Sequence, residues 1–244
     1  MTTGLIGNGY WGKILSEKLD NLQFISDSKT DVDSVTNVDW IFVATPPTSH
    51  YKIVEYWLNR GSNVFCEKPL CLEYYKAHNL YNLADKLKLK LYVDDIFLHR
   101  DEYKNINKAR KRIVFRWYKN GPHKDTLINN LLYHDLLILT DLYGIQSIED
   151  IDMNTNQKNK LKITFKYGKV DVEVDYVNDY LGDKIKTIIV DDLYHYNFPK
   201  TEKDYLKKLV DDCLNLKVNF KKNRKNSLNV ISLLQTFYSY KTFS

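Results

Sequence analysis

A G-x-G-x-x-G turn, Gly7-Asn8-Gly9-Tyr10-Trp11-Gly12, stands between a short apolar run at 3–6 and a helical pattern over 11–20, where Leu15 and Leu19 lie one turn apart. No other feature narrows the fold as much, because a glycine turn that ends a strand and opens a helix begins a β-α-β unit. The following residues keep that rhythm. Strands are predicted at 22–26, 39–45, 63–67 and 89–95, and helices at 49–61 and 72–88, the first of them stopped by Gly61. The unbroken apolar run Trp40-Ile41-Phe42-Val43-Ala44 suits a strand covered on both faces. Strands alternating with helices imply right-handed crossovers and a parallel sheet.

Near 97–103 the rhythm changes. A strand at 112–118 leads to a long amphipathic helix over 126–144 that ends at Gly144. Alternating, half-buried strands follow at 148–154, 160–177 and 184–193, with a hairpin turn at Tyr167-Gly168. Two helices, at about 201–215 and 227–241, close the chain. Hairpin-linked strands mean an antiparallel sheet. The fold class expected is α/β: a Rossmann domain over 1–96, then an α+β domain over 97–244 with an open, mainly antiparallel sheet.

Composition removes several function classes. At 244 residues the chain is long enough for a sizeable core. No run approaches the roughly 18–20 apolar residues that span a bilayer. No basic segment followed by an apolar one heads the sequence, so neither a membrane nor export is expected. Cys66, Cys71 and Cys213, an odd number, make no disulfide framework, and a cytoplasmic setting is the simplest expectation. The formal charge of +5 draws largely on 217–227, with Lys217, Lys221, Lys222, Arg224 and Lys225. Between two helices this run reads as a solvated loop, and with no nucleic-acid motif beside it, a nucleic-acid partner is not expected. No cluster has metal-ligand spacing, so no metal is expected either.

The residues that carry chemistry fall at strand ends along one edge of the expected sheet. In a dinucleotide fingerprint Gly7 permits the tight turn, Gly9 lets a pyrophosphate approach the backbone, and Gly12 lets the helix pack on the strand. Asn8, Tyr10 and Trp11 share that turn; the alternative is a glycine turn without a ligand. Asp27, fifteen residues past Gly12, would accept ribose hydroxyls and repel a 2′-phosphate, favouring NAD, whereas Lys29 and the flanking serines would tolerate NADP. The third strand runs into Ala44-Thr45-Pro46-Pro47-Thr48-Ser49-His50, which places Thr45, Pro46 and His50 near the crevice. Read alone, His50 suits a capping or packing role equally well. The fourth strand runs into Cys66-Glu67-Lys68-Pro69-Leu70, which brings Glu67 and Lys68 to the same edge.

In order and spacing these blocks, together with 134–144, resemble the Gfo/Idh/MocA oxidoreductase family over nearly the whole chain. Within it, 9–13, 97–103 and 120–125 most resemble the nucleotide-sugar 3-dehydrogenase branch. The resemblance implies NAD or NADP, hydride transfer to or from a sugar or cyclitol carbon, and a second domain that binds substrate and joins subunits into a homo-oligomer through its sheet. The family lysine maps onto Lys68, which would bind the reacting hydroxyl. The family's Asp-x-x-x-His helix motif maps onto Asn130 and His134, one helical turn apart.

There the chain departs from the family. Asn130 can hydrogen-bond a hydroxyl but cannot take a proton, which leaves His134 as the base. Asp135 points about 100° away around the helix, and Asp95 stands where relatives often carry His. Tyr180, Lys184 and Lys186 fall where relatives place aromatic and basic residues near the substrate. Lys184 or Lys186 is the candidate contact for a diphosphate; a solvated strand edge is the alternative. The reading is an NAD(P)-dependent oxidoreductase of a nucleotide-linked sugar, with Lys68, His134 and Asn130 at its catalytic centre. The alternative is a Rossmann protein that holds a nucleotide or partner without turnover.

Overall fold

The computed structural model describes residues 1–27, 36–120, 131–157 and 159–243. The chain forms two compact units, 1–96 with 204–235 and 97–203 with 236–244. The first is built on a parallel sheet of β1 (Thr3–Ile6), β2 (Leu22–Ser26), β3 (Trp40–Val43), β4 (Asn63–Cys66) and β5 (Leu91–Val93), in the order β2-β1-β3-β4-β5. Helices α1 (Tyr10–Ser16), α2 (Pro47–Asn59) and α3 (Tyr74–Leu87) connect the strands. Successive strand residues enter opposite cores, as the pleat requires. Ile41, Val43, Val64 and Cys66 meet Val54 and Leu58 of α2, whereas Leu5, Phe42, Phe65 and Tyr92 meet Leu15 of α1. On the second face Phe42, Phe65 and Tyr92 stack with ring centroids 5.1 and 5.8 Å apart. The strand order reverses at β1 and β3, and a sheet of this kind opens its ligand crevice at the C-terminal ends of those strands.

Residues 204–235, one helix and the first part of another, complete this unit, so the expected second domain over 97–244 gives up 204–235. Helix α6 (Tyr205–Leu214) places Leu209, Val210 and Cys213 in the second core. Helix α7 (Phe220–Phe243) begins at Phe220 rather than at 227. The basic run expected as a loop is therefore mostly the first two turns of a helix, and its Arg224 pairs with Asp85 and donates to Asn82 Oδ1 at 3.0 Å.

Asn223 gives that helix start its reason. Its Oδ1 accepts from the Val93 N–H at 3.0 Å, and its Nδ2 donates to the Val93 carbonyl at 2.8 Å and to Asp95 Oδ2 at 3.0 Å. The side chain thus pairs with the open edge of β5 as a neighbouring strand would. Asn223→Ala is expected to cost about 2–3 kcal/mol, because a buried N–H, a carbonyl and a carboxylate oxygen all lose their partner. Asn223→Asp, which can donate to neither acceptor, costs more. Urea unfolding checks both variants, and unchanged midpoints would refute the edge-pairing role.

The second unit holds β6 (Arg112–Tyr118), β7 (Ile148–Gln157), β8 (Lys160–Tyr167), β9 (Val170–Val177), β10 (Ile185–Val190) and β11 (Tyr194–Asn197) in the order β11-β10-β6-β9-β8-β7. The β6–β9 pair is parallel and the other named pairs are antiparallel, a mixed but mainly antiparallel sheet. The β8–β9 hairpin turns at Gly168, whose φ of +59° is the left-handed conformation such a turn needs. One face of the sheet buries Phe115, Trp117, Ile163, Phe165, Val174 and Tyr176. The other carries charge, with Glu173 between Arg112 at 2.8 Å and Lys162 at 3.1 Å. This unit also contains the short helix α4 (Asp101–Lys104) and α5 (Tyr133–Tyr143). Residues 126–130 of the expected long helix lie outside the described residues. No described helix is long and apolar enough to cross a membrane.

Candidate active site

The glycine turn separates into glycines the fold needs and one it does not. Gly7 has φ +110°, and a Cβ there would stand 2.4 Å from the Ala44 carbonyl oxygen. A Cβ on Gly12 would stand 2.0 Å from the Gly7 oxygen. Gly9 has φ −79°, open to any residue, and its Cβ would meet nothing within 4 Å. Neither backbone nor packing accounts for Gly9, and the open space beside it is what the close approach of a phosphate would require. Gly9 also caps α1 with no side chain hydrogen-bonded to the first N–H groups, and Asn8, Tyr10 and Trp11 are exposed beside it. The Gly7 N–H donates to the Ser26 carbonyl at 2.7 Å, so the exposed Asp27, next after β2, adjoins the turn. These residues fit a pyrophosphate and its adenosine ribose.

At the end of β3 the Thr45 hydroxyl accepts from Ser49 Oγ at 2.8 Å, and Pro46 is the exposed cap of α2. His50 is fully buried, with Nδ1 2.8 Å from the Pro69 carbonyl oxygen and Nε2 2.7 Å from that of Thr45. Both ring nitrogens are engaged with backbone. That corrects the expectation of a cofactor contact: His50 ties the segment after β3 to the one after β4. Burial holds its pKa below the ordinary 6.5, against the pull of the two carbonyls.

The segment His50 ties down contains Lys68, which is half-buried and joined to Pro69 by a cis peptide. Just before it, the Glu67 N–H donates to the Val43 carbonyl at 2.9 Å. Glu67 and Asp94 are both buried, and the Asp94 N–H donates to the Cys66 carbonyl at 2.9 Å, so the two carboxyl groups stand on adjacent strand ends. Burial first and the Asp94 charge second push the Glu67 pKa up, while the Lys68 ammonium pulls it down. Sequence reasoning missed Asp94, whose one signal was its position at the C-terminal end of the fifth expected strand. Asp95 is equally buried and accepts from the Tyr92 hydroxyl at 2.6 Å.

In the second unit His134 lies in the first turn of α5, its ring 4.4 Å from that of Phe97 and 5.8 Å from that of Trp117, nearly parallel to the latter at 12°. The neighbouring Asp135 is fully buried and accepts from Trp117 Nε1 at 3.0 Å and from the Tyr176 hydroxyl, which ties α5 to β6 and β9. Burial pushes its carboxyl pKa well above the usual range. Asp135 therefore holds the helix that carries His134 and is no stand-in for a base. Lys184 is exposed, whereas Lys186 brings its ammonium 2.8 Å from the Phe97 ring centroid and 4.1 Å from that of Trp117. Tyr180 lies with its ring 5.5 Å from that of Tyr118. Asn130 is outside the described residues.

Comparison with known proteins agrees with the Rossmann fold of the first unit. Residues 4–95 match the Gfo/Idh/MocA family, described as an oxidoreductase family with an NAD-binding Rossmann fold. Over 58 residues, 24% of this chain, the sequence is 38% identical to an uncharacterized oxidoreductase of Schizosaccharomyces pombe, and the match spans 16% of that protein's length. The solved structure of UDP-N-acetylglucosamine 3-dehydrogenase GnnA from Acidithiobacillus ferrooxidans matches with a TM-score of 0.79 at 16% identity, covering 97% of this chain and 96% of its own. WlbA (WbpB) dehydrogenase from Thermus thermophilus, crystallised with NAD and UDP-GlcNAcA, matches at 0.74 and 16%, covering 96% and 94%. At such identities the likeness to solved structures establishes the fold.

Proposed function

We propose that this chain, whose residues 4–95 belong to the Gfo/Idh/MocA oxidoreductase family with its NAD-binding Rossmann fold, transfers hydride between a nicotinamide and a carbinol carbon of a nucleotide-linked sugar. Gly9 carries the reading. It is a glycine that neither φ nor packing requires, placed between two that packing does require. Asp27 beside the turn accepts the ribose hydroxyls and disfavours a 2′-phosphate, which selects NAD over NADP. The bound nicotinamide supplies the hydride acceptor or donor. Lys68 donates a hydrogen bond to the reacting hydroxyl and holds it in line. His134 takes or returns the hydroxyl proton, a task that suits an imidazole near neutral pH. Asn130 hydrogen-bonds a substrate hydroxyl. The nucleotide-linked sugar as substrate rests on the fold shared with GnnA and WlbA and on the sequence resemblance to that branch.

One feature favours a second reading. With Asn130 at the family's carboxylate position, the chain could hold NAD without turning over. Mass spectrometry of the nucleotide that copurifies, followed by absorbance of the nicotinamide during incubation with a panel of UDP-sugars, separates the two. Bound NAD with a change of redox state on one sugar is the expected result. Bound NAD inert to the whole panel selects the second reading, and failure to bind any nicotinamide nucleotide defeats both.

A further inference from the structure

The first unit brings together two basic stretches from distant parts of the sequence. Residues 86–90, Lys-Leu-Lys-Leu-Lys, end α3 and lead into β5, while residues 216–225 follow α6 and open α7. Neither stretch contains an Asp or a Glu. Arg224 joins them through Asp85 and Asn82, Asn223 joins them through Val93, and the Lys90 ammonium lies 5.6 Å from the Phe220 ring centroid. The first stretch exposes Lys86, Lys88 and Lys90, and the second exposes Lys217, Lys221, Lys222 and Lys225. Carboxylates at the margin are engaged: Asp85 with Arg224, Asp212 with Lys208, and Asp39 with the Thr2 N–H at 2.7 Å and its hydroxyl at 3.1 Å. Among the described residues, Lys86, Lys88, Lys217, Lys221 and Lys225 form no ion pair.

Lysines at the end of α3 complement its macrodipole, an ordinary reason for them there. That reason fails for α7. Lys221, Lys222, Arg224 and Lys225 fall in its first two turns, the positive end, and its first turn holds no acid. The helix carries these charges at a local cost, which an anionic surface from outside would offset. Apolar side chains protrude among the lysines. Leu87 is 39% and Leu216 49% exposed, at turns where Lys88 has φ +59° and Leu216 φ +57°. Lysines interspersed with exposed leucines suit lipid, with anionic headgroups for the ammonium groups and the acyl boundary for the leucines. They suit a nucleic acid less: the patch exposes no aromatic ring on which a base could stack, and its arginine is held by Asp85.

We propose that this face of the first unit docks on an anionic lipid surface, with Lys217, Lys221 and Lys225 against the headgroups and Leu87 and Leu216 at the acyl boundary. The face lies where β5 begins, whereas the glycine turn lies where β1 ends, so in a parallel sheet the two occupy opposite edges. Docking therefore leaves the crevice at the strand ends open. Attachment of this kind needs no membrane-spanning helix. The proposal does not depend on the reaction proposed above.

Flotation with vesicles of roughly one-third phosphatidylglycerol in phosphatidylcholine, against vesicles of phosphatidylcholine alone, tests the surface. Binding to the first and not the second is expected at about 0.1 M salt, fading toward about 1 M, where the Debye length falls to about 3 Å. Lys217→Gln, Lys221→Gln and Lys225→Gln together should weaken it about a hundredfold, about fivefold for each lysine. The same loss of charge at Lys111, Lys160 and Lys169, exposed in the second unit, should change it by less than about twofold. Leu87→Ser with Leu216→Ser should weaken vesicle binding about tenfold or more. All three combined variants should keep the native thermal midpoint. No binding to the anionic vesicles, equal binding to both kinds of vesicle, equal losses in the two lysine variants, or native affinity in the leucine variant would each overturn the proposal. A DNA duplex that shifts in a gel at lower protein concentration than the vesicles require, in the same salt, would assign the lysines to a nucleic acid instead.

Discussion

Alanine at Gly12 is expected to cost about 3 kcal/mol or more of stability, whereas alanine at Gly9 should change it by no more than about 0.5 kcal/mol. The contrast follows from what a Cβ would meet at two glycines three residues apart in the same turn. At Gly12 the new carbon would stand 2.0 Å from the Gly7 oxygen and 2.8 Å from its carbonyl carbon, both backbone atoms that cannot swing away. Helix α1 must lift off β1, and Leu15 leaves the core it shares with Leu5 and Phe42. At Gly9 the carbon meets no atom of the protein, and φ −79° is already allowed. The space it would fill is the one assigned to the pyrophosphate. Gly9→Ala should therefore weaken NAD binding by about tenfold, or 1.4 kcal/mol, and Gly9→Val by more, with no loss of fold. Thermal unfolding with and without NAD reads both quantities from one preparation. Gly9→Val that binds NAD as tightly as the native protein would mean that no phosphate lies against this turn.

The parts of this architecture that were legible in the sequence are those with a local cause. The parallel strands announced themselves because strands buried on both faces must be apolar throughout, as at Trp40–Val43. The hairpin at Gly168 announced itself because its φ favours glycine. β11 gave no signal: Tyr194, His195 and Asn197 are exposed on an edge strand, so nothing enforces alternation there. The start of α7 was hidden for a different reason. Asn223 and Arg224 look like part of a solvated run until their partners Val93, Asp95 and Asp85, more than a hundred residues away in sequence, are seen. The return of 204–235 to the first unit has the same non-local origin, through Leu209, Val210 and Cys213. At the site, strand ends located Lys68 and Glu67, yet no pattern could show that the His50 ring is buried between two backbone carbonyls. Asp135 and Lys186 were visible as residues, but the burial and aromatic contacts around them come only from the fold.

Lys68→Met should leave NAD affinity within about threefold of the native value and lower turnover by about a thousandfold, roughly 4 kcal/mol of transition-state stabilisation. The backbone that presents Lys68 does not depend on its ammonium. Glu67 N–H is held by the Val43 carbonyl, and the Pro69 carbonyl is held by His50. Methionine therefore leaves the segment in place and removes only the charge and its donors. Two neighbours register the loss. Lys68 holds the Glu67 pKa down against burial and Asp94, so Glu67 moves further up; it also lowers His50, which moves back toward its ordinary value. A carboxyl whose folded pKa is raised contributes stability below its unfolded pKa of about 4.5 and loses it as pH rises through the folded value. The stability of Lys68→Met should therefore decline with rising pH over a range that reaches higher than in the native protein, while turnover stays low at every pH. That combination separates a catalytic lysine from one that merely tunes its neighbours, for which a change of pH would restore the rate. Loss of NAD binding together with turnover would assign Lys68 to the cofactor instead, and retention of turnover would remove it from the mechanism.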